Sequence, residues 1–219
     1  MADPLPSLPP PSLDALRARI RTLEQGGTHG PGESLPLFPE IDRALPGGGL
    51  ALACLHQLVA ADSAGTAFAA LIAGRLAERK GRPVLWAPVA EDLYPPGLAA
   101  WGLVPERLIV VRAAAEAERL WVMEEALRCP DLACVVAEIA GLDLIAGRRL
   151  QLAAEAGRVT GLALHPPPTR AANAGTTRWR VGALPGGRWH LALERCRGGM
   201  PGEWTVAPDG VSGEGRDAH

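Results

Sequence analysis

Residues 60 to 67 read Ala-Ala-Asp-Ser-Ala-Gly-Thr-Ala, between an apolar run and an alanine- and leucine-rich segment. A phosphate loop at such a turn has the pattern Gly-x-x-x-x-Gly-Lys-Ser/Thr. Backbone N–H groups and a lysine neutralise the phosphates, and a hydroxyl holds magnesium. With Gly65 as the second glycine, the first glycine is Ala60, the lysine is Thr66 and the magnesium hydroxyl is Ala67. The nearest hydroxyl, Thr66, is displaced by one position, and Asp62 adds a carboxylate that repels phosphate. The spacing survives while the chemistry is gone, so no catalysis of ATP hydrolysis is expected, and Asp62 or Ser63 suits an N-cap of the next helix.

The other reactive side chains are judged against that loss. Glu138 ends the run LACVVA, where a working ATPase carries an acid for water or metal. Without the loop it reads as a structural hydrogen-bonding group, and Glu91 and Asp92 are discounted in the same way. His56 lies inside an apolar strand, where a satisfied core histidine is the commoner case, and His165 opens a proline loop with no partner for a triad or metal site. Cys54, Cys129, Cys134 and Cys196 form no CxxC pair and have no interleaved histidines, so reduced thiols and no metal are expected. No cofactor is expected either. Arg148-Arg149 and the run Arg170, Arg178, Trp179, Arg180 are the notable positive groups. Arginine beside tryptophan suits protein contacts and single-strand stacking. A protein interface ranks first, a solvated hairpin with Trp179 packed on the sheet second, and DNA third.

The elements that must position these residues alternate. An apolar strand from Leu52 leads into a helix over about 64–79 that closes at Lys80-Gly81 with a basic last turn. PVLWA and LIVV read as strands, separated by the EDLYPPG loop and the short helix GLAAWGL. A helix over about 114–128 places Ala117, Leu120, Met123 and Leu127 on one face and sets Glu124 one turn before Arg128. LACVVA is the next strand; a helix through Arg148 to Leu152 closes at Gly157, and TGLAL follows. Short connections between alternating strands and helices predict a mostly parallel sheet covered on both faces. Residues 176–183 and 189–195, separated by Leu-Pro-Gly-Gly, predict a C-terminal antiparallel hairpin. Trp204 is expected in one more short strand.

Length and composition set the bounds. The 219 residues fit one sizeable core with flexible ends. The organisation expected is a tail, helix and linker over 1–37, a core over 38–206 and a tail over 207–219. A net charge of −2 provides no general attraction for nucleic acid. No apolar run reaches membrane-span length and no signal sequence opens the chain, so a cytoplasmic location is expected. After the proline-rich start, Ser12 suits an N-cap and Leu13, Leu16, Ile20 and Leu23 form one stripe of a helix over 12–25. Beyond the glycine-rich linker that stripe either docks on the core or binds a partner.

The order of these parts resembles the RecA-like ATPase core. More specifically, EIDRALPGGGLALACLHQL, YPPGLAAWGL, EEALR, RRLQLAAEAG, TTRWRV and RCRGGMPGEW together resemble the ImuA family of SOS mutagenesis accessory proteins, over roughly residues 41–204. The resemblance implies a non-polymerase component of error-prone translesion synthesis. Its implied partners are RecA, an ImuB-type Y-family polymerase homologue and, indirectly, a C-family DNA polymerase. Two rivals carry other expectations: a RecA/KaiC-type ATPase with an atypical site would bind nucleotide tightly, and a SulA-like division inhibitor would bind FtsZ.

Overall fold

The computed structural model describes residues 33–89, 93–168, 172 and 174–208. The stripe Leu13, Leu16, Ile20 and Leu23, and also Glu91, Asp92 and Arg170, lie outside the described residues. Among those described, no helix is long and apolar enough to cross a membrane.

The fold is α/β, as the alternating pattern predicts. Strands β3 (Leu55–Ala60), β4 (Val84–Ala87), β5 (Leu108–Val110), β6 (Cys134–Glu138), β7 (Thr160–His165), β8 (Thr177–Leu184), β9 (Arg188–Cys196) and β10 (Gly202–Val206) form one sheet. Its order is β10-β9-β8-β3-β7-β6-β4-β5. The strands from β8 to β5 run parallel, whereas β8, β9 and β10 are antiparallel neighbours. Trp204 thus lies in a third strand of the hairpin. The chain leaves β3 toward β4 on one side and returns from β7 to β8 on the other, so β3 stands at a switch point, where α/β sheets leave a crevice beyond their strand ends.

Helix α1 (Pro39–Asp42) and helix α2 (Ser63–Lys80) come first, then α3 (Pro95–Ala99), α4 (Glu116–Leu127) and α5 (Leu144–Gly157). Phe68, Ile72 and Leu76 of α2 join Leu58, Trp86, Val136 and Trp179 in one core layer. Met123, Leu127, Leu150 and Ala154 of α4 and α5 pack with Val135, Ala137 and Ala163 in the other. Strand β7 is buried along its whole length, as expected between two helical layers.

Three local readings change. The opening strand begins at Leu55, because Leu50–Ala51 (β2) pairs with Ser34–Leu35 (β1) and Ala53 turns the chain at φ 54°. Ala117 is exposed, and the inward face of α4 instead includes the charged Arg119 and Glu124. Gly157 ends α5, but the left-handed cap is Arg158. Glycine is required at 157 because a Cβ would collide with the Leu127 carbonyl.

A buried hydrogen-bond chain joins β3 to β8. Trp179 Nε1 donates to Thr177 Oγ1 at 2.8 Å, Thr177 Oγ1 meets His56 Nδ1 at 2.7 Å, and His56 Nε2 meets the Ala51 carbonyl at 2.8 Å. A carbonyl only accepts, so Nε2 carries the proton and Nδ1 accepts from the threonine hydroxyl. Burial pushes His56 from its ordinary 6.5 down to about 4, and His165 is lowered by burial too. Because the folded value is depressed, stability is whole above the unfolded-chain value and falls as pH drops from 6.5 toward 4. The loss expected from His56 across that window is about 3 kcal/mol. Urea unfolding at pH 7 and 4.5 measures it, and His56→Gln should shrink the difference between the two.

Candidate functional site

A cleft of about 700 Å³ opens at the carboxyl ends of β3, β6 and β7. It gathers Ala60, Asp62, Ser63, Ala64, Thr66, Ala67, Glu138 and His165. Six of the eight phosphate-loop positions and the strand-end acid therefore do come together.

Their local geometry differs from a phosphate cradle. Strand β3 continues through Ala60 and α2 begins at Ser63, which leaves only Ala61 and Asp62 between them. Asp62 is the N-cap: Oδ1 accepts from Ala64 N at 2.9 Å. Its Oδ2 accepts from Ala183 N on β8 at 3.0 Å. The carboxylate thus stands where an incoming phosphate would need the N-terminal N–H groups. Gly65 has an ordinary helical backbone, but a Cβ there would strike the Ala60 side chain and press on Leu164. It is needed for the close approach of α2 to β3, with no anion involved.

Glu138 is held on both oxygens, by Trp86 Nε1 at 3.3 Å and Val89 N at 2.9 Å. Behind it the buried Arg119 donates to the carbonyls of Glu138, Ala113 and Ala114. His165 Nδ1 donates to the Ile139 carbonyl at 2.6 Å, and Nε2 lies 3.4 Å from Gln57 Nε2. Among the described residues neither ring nitrogen is hydrogen-bonded to a carboxylate, so no acid orients it as a base. The remaining walls are apolar and include three aromatic rings: Tyr94 and Trp101 from the α3 segment, and Trp189 at the start of β9, with Trp101 and Trp189 centroids 4.8 Å apart. Sequence reasoning missed these three, since they come from distant segments and carry no spacing signal.

The positive residues lie elsewhere. Arg149 on α5 pairs with the buried Glu124 of α4, which Arg128 also binds at 2.6 Å. Burial alone would raise the Glu124 carboxyl, but the two arginines outweigh it and hold it below its ordinary value. Arg148 is exposed on the same helix. On β8, Arg178 and Arg180 converge on Glu194 at 3.1 and 2.8 Å. The placement of Trp179 with them at an interface is corrected: it is fully buried, edge-on to Phe68 at 6.0 Å. Alternation along β8 points it to the opposite face from its two arginine neighbours.

Fold and site together define an α/β protein with a mixed, mostly parallel sheet and a cleft at its switch point. No family model matches the chain. It is similar to Protein ImuA of Caulobacter vibrioides, from strain NA1000 / CB15N and from strain ATCC 19089 / CIP 103742 / CB 15. Each is 41% identical over 196 residues, covering 77% of this chain and 80% of the relative. The chain belongs to the ImuA family.

Two substitutions separate packing from ligand chemistry at the turn. Asp62→Ala removes the cap and the tie to β8 and should cost about 1–2 kcal/mol, with Asp62→Asn costing less. Gly65→Ala should cost about 1–3 kcal/mol through overpacking. Urea midpoints of the purified variants check both.

Proposed function

We propose that the protein is a non-catalytic RecA-like adaptor of SOS mutagenesis. It supports error-prone translesion DNA synthesis by binding RecA and an ImuB-type polymerase homologue in the cytoplasm, with a C-family DNA polymerase engaged indirectly. Family membership supports the mutagenesis role. The observation that carries the adaptor reading is the double engagement of Asp62, which supplies a carboxylate where ATP needs N–H donors and a lysine.

In this reading the residues before the core act as a tethered partner-binding helix, through Leu13, Leu16, Ile20 and Leu23. Arg148, with Arg149 beside it, and the arginines Arg178 and Arg180 offer further polar contact surface on α5 and β8. Direct DNA contact is weak at most, because the net charge is negative and Arg149, Arg178 and Arg180 already meet carboxylates.

Titration with a fluorescent ATP analogue should show no saturable Mg²⁺-dependent binding, and phosphate release should stay at background. Tight Mg²⁺-dependent binding would overturn the adaptor reading. Deleting residues 1–27 should weaken the complex with the ImuB-type partner roughly tenfold or more, about 1.4 kcal/mol, measured by calorimetry. Unchanged affinity for both that partner and RecA would remove the helix from the proposal.

A further inference from the structure

The cleft that lost its phosphate chemistry has gained an opposite one. Its lining holds two carboxylates, Asp62 and Glu138, and no lysine or arginine among the described residues. Each carboxylate is fixed by two N–H donors, one on each oxygen. A carboxylate oxygen has two acceptor directions, so each retains a free one. Neither group is spent on an ion pair among the described residues. Both are pre-positioned in a recess where a neighbouring aromatic and aliphatic wall reduces screening by water.

The rest of the wall selects the kind of cation. Tyr94, Trp101 and Trp189 present ring surface, and aromatic faces attract guanidinium and ammonium groups, arginine more often than lysine. Leu93 and Leu98 offer apolar surface suited to a hydrocarbon stem. The mouth adds a further observation. Val89 and Tyr94, both in the lining, are 57% and 69% exposed, and exposed apolar side chains at one recess are typical of a surface that a protein partner covers. The volume, about 700 Å³, exceeds what one side chain fills, leaving room for the residues that flank it.

We propose that this cleft is a docking site for a partner polypeptide, taking an arginine side chain between Asp62, Glu138 and the aromatic wall, with the arginine's apolar neighbours seated on Val89 and Tyr94. The inference rests on the adaptor reading and names the chemistry of one partner contact at the cleft. The guanidinium supplies the N–H donors that the two free acceptor directions require, and its charge is complementary to theirs. A nucleotide would bring phosphate against the same two carboxylates. An acidic or neutral segment would leave them uncompensated beneath a covered mouth, a costly arrangement for buried charge.

The test uses the full-length protein and a displayed library of random seven-residue peptides. Enriched peptides should carry an arginine or lysine beside an apolar residue. A synthetic peptide of that sequence should bind with an affinity that falls as salt rises. Asp62→Asn and Glu138→Gln, which keep the size of the side chain and one of its two acceptor oxygens while removing the charge, should each weaken it about tenfold or more, and so should the exposed-lip change Tyr94→Ser. Replacing the peptide's basic residue by glutamine should do the same. Circular-dichroism melts establish that each variant is folded. Failure of the library to enrich any sequence, enrichment of sequences without a basic residue, or binding indifferent to Glu138→Gln and to salt would each overturn the proposal. A parallel titration with Mg²⁺-ATP separates the two readings. Nucleotide that binds and displaces the peptide defeats the adaptor reading. Absence of both ligands defeats only the docking site.

Discussion

The turn between β3 and α2 is closed by one carboxylate, and the arrangement of the site depends on it. Asp62 caps α2 with one oxygen and ties the turn to Ala183 of β8 with the other. A single side chain thus joins α2 to a strand more than a hundred residues later in the chain. Its charge opposes phosphate at the helix N-terminus, so the interaction that organises the turn also makes that end of the helix a poor place for an anion. The shortened loop and the glycine that lets α2 lie close to Ala60 follow the same logic. Packing at this position needs the glycine and the cap, and the same carboxylate sets a negative charge at the start of the helix.

A second constraint lies in the sheet beneath. The chain from Trp179 through Thr177 to His56 satisfies every buried polar atom it contains and ends on the Ala51 carbonyl. A polar network that is fully satisfied in a dry core specifies one pairing of strands, since any slip in register would orphan its members. Here it links β3 to β8, the junction between the parallel portion and the antiparallel hairpin. The cleft sits above that junction, so the same register that satisfies the histidine also delivers Ala183 to Asp62 and Trp189 to the aromatic wall.

Charge is distributed unevenly across the molecule. The positive residues that stand out in the sequence are largely neutralised where they fall: Arg128 and Arg149 on Glu124, Arg178 and Arg180 on Glu194. In contrast, the carboxylates at the cleft accept N–H groups and meet no cation among the described residues. The acids of the cleft thus keep acceptor capacity, while the conspicuous arginines of β8 and Arg149 have less to offer than their number suggests.

Much of this was legible before any coordinates. Periodicity marked the buried strands, because residues covered on both faces must be apolar throughout, and Gly81 ended α2 as a left-handed cap should. The missing lysine and the presence of Asp62 were matters of residue identity, which a sequence states directly, and so was the resemblance that assigned the family. Tertiary structure alone decided which surfaces those residues serve. Trp179 went to the core because strand alternation is relative to a neighbouring sheet that no local window contains. Arg119 was buried by three carbonyls that only folding brings within reach. The aromatic wall drew Tyr94, Trp101 and Trp189 from either end of the core. Local preferences act over a few residues and can be read along the chain, whereas a cleft is made by contacts between segments far apart in sequence and exists only once the strand order is set.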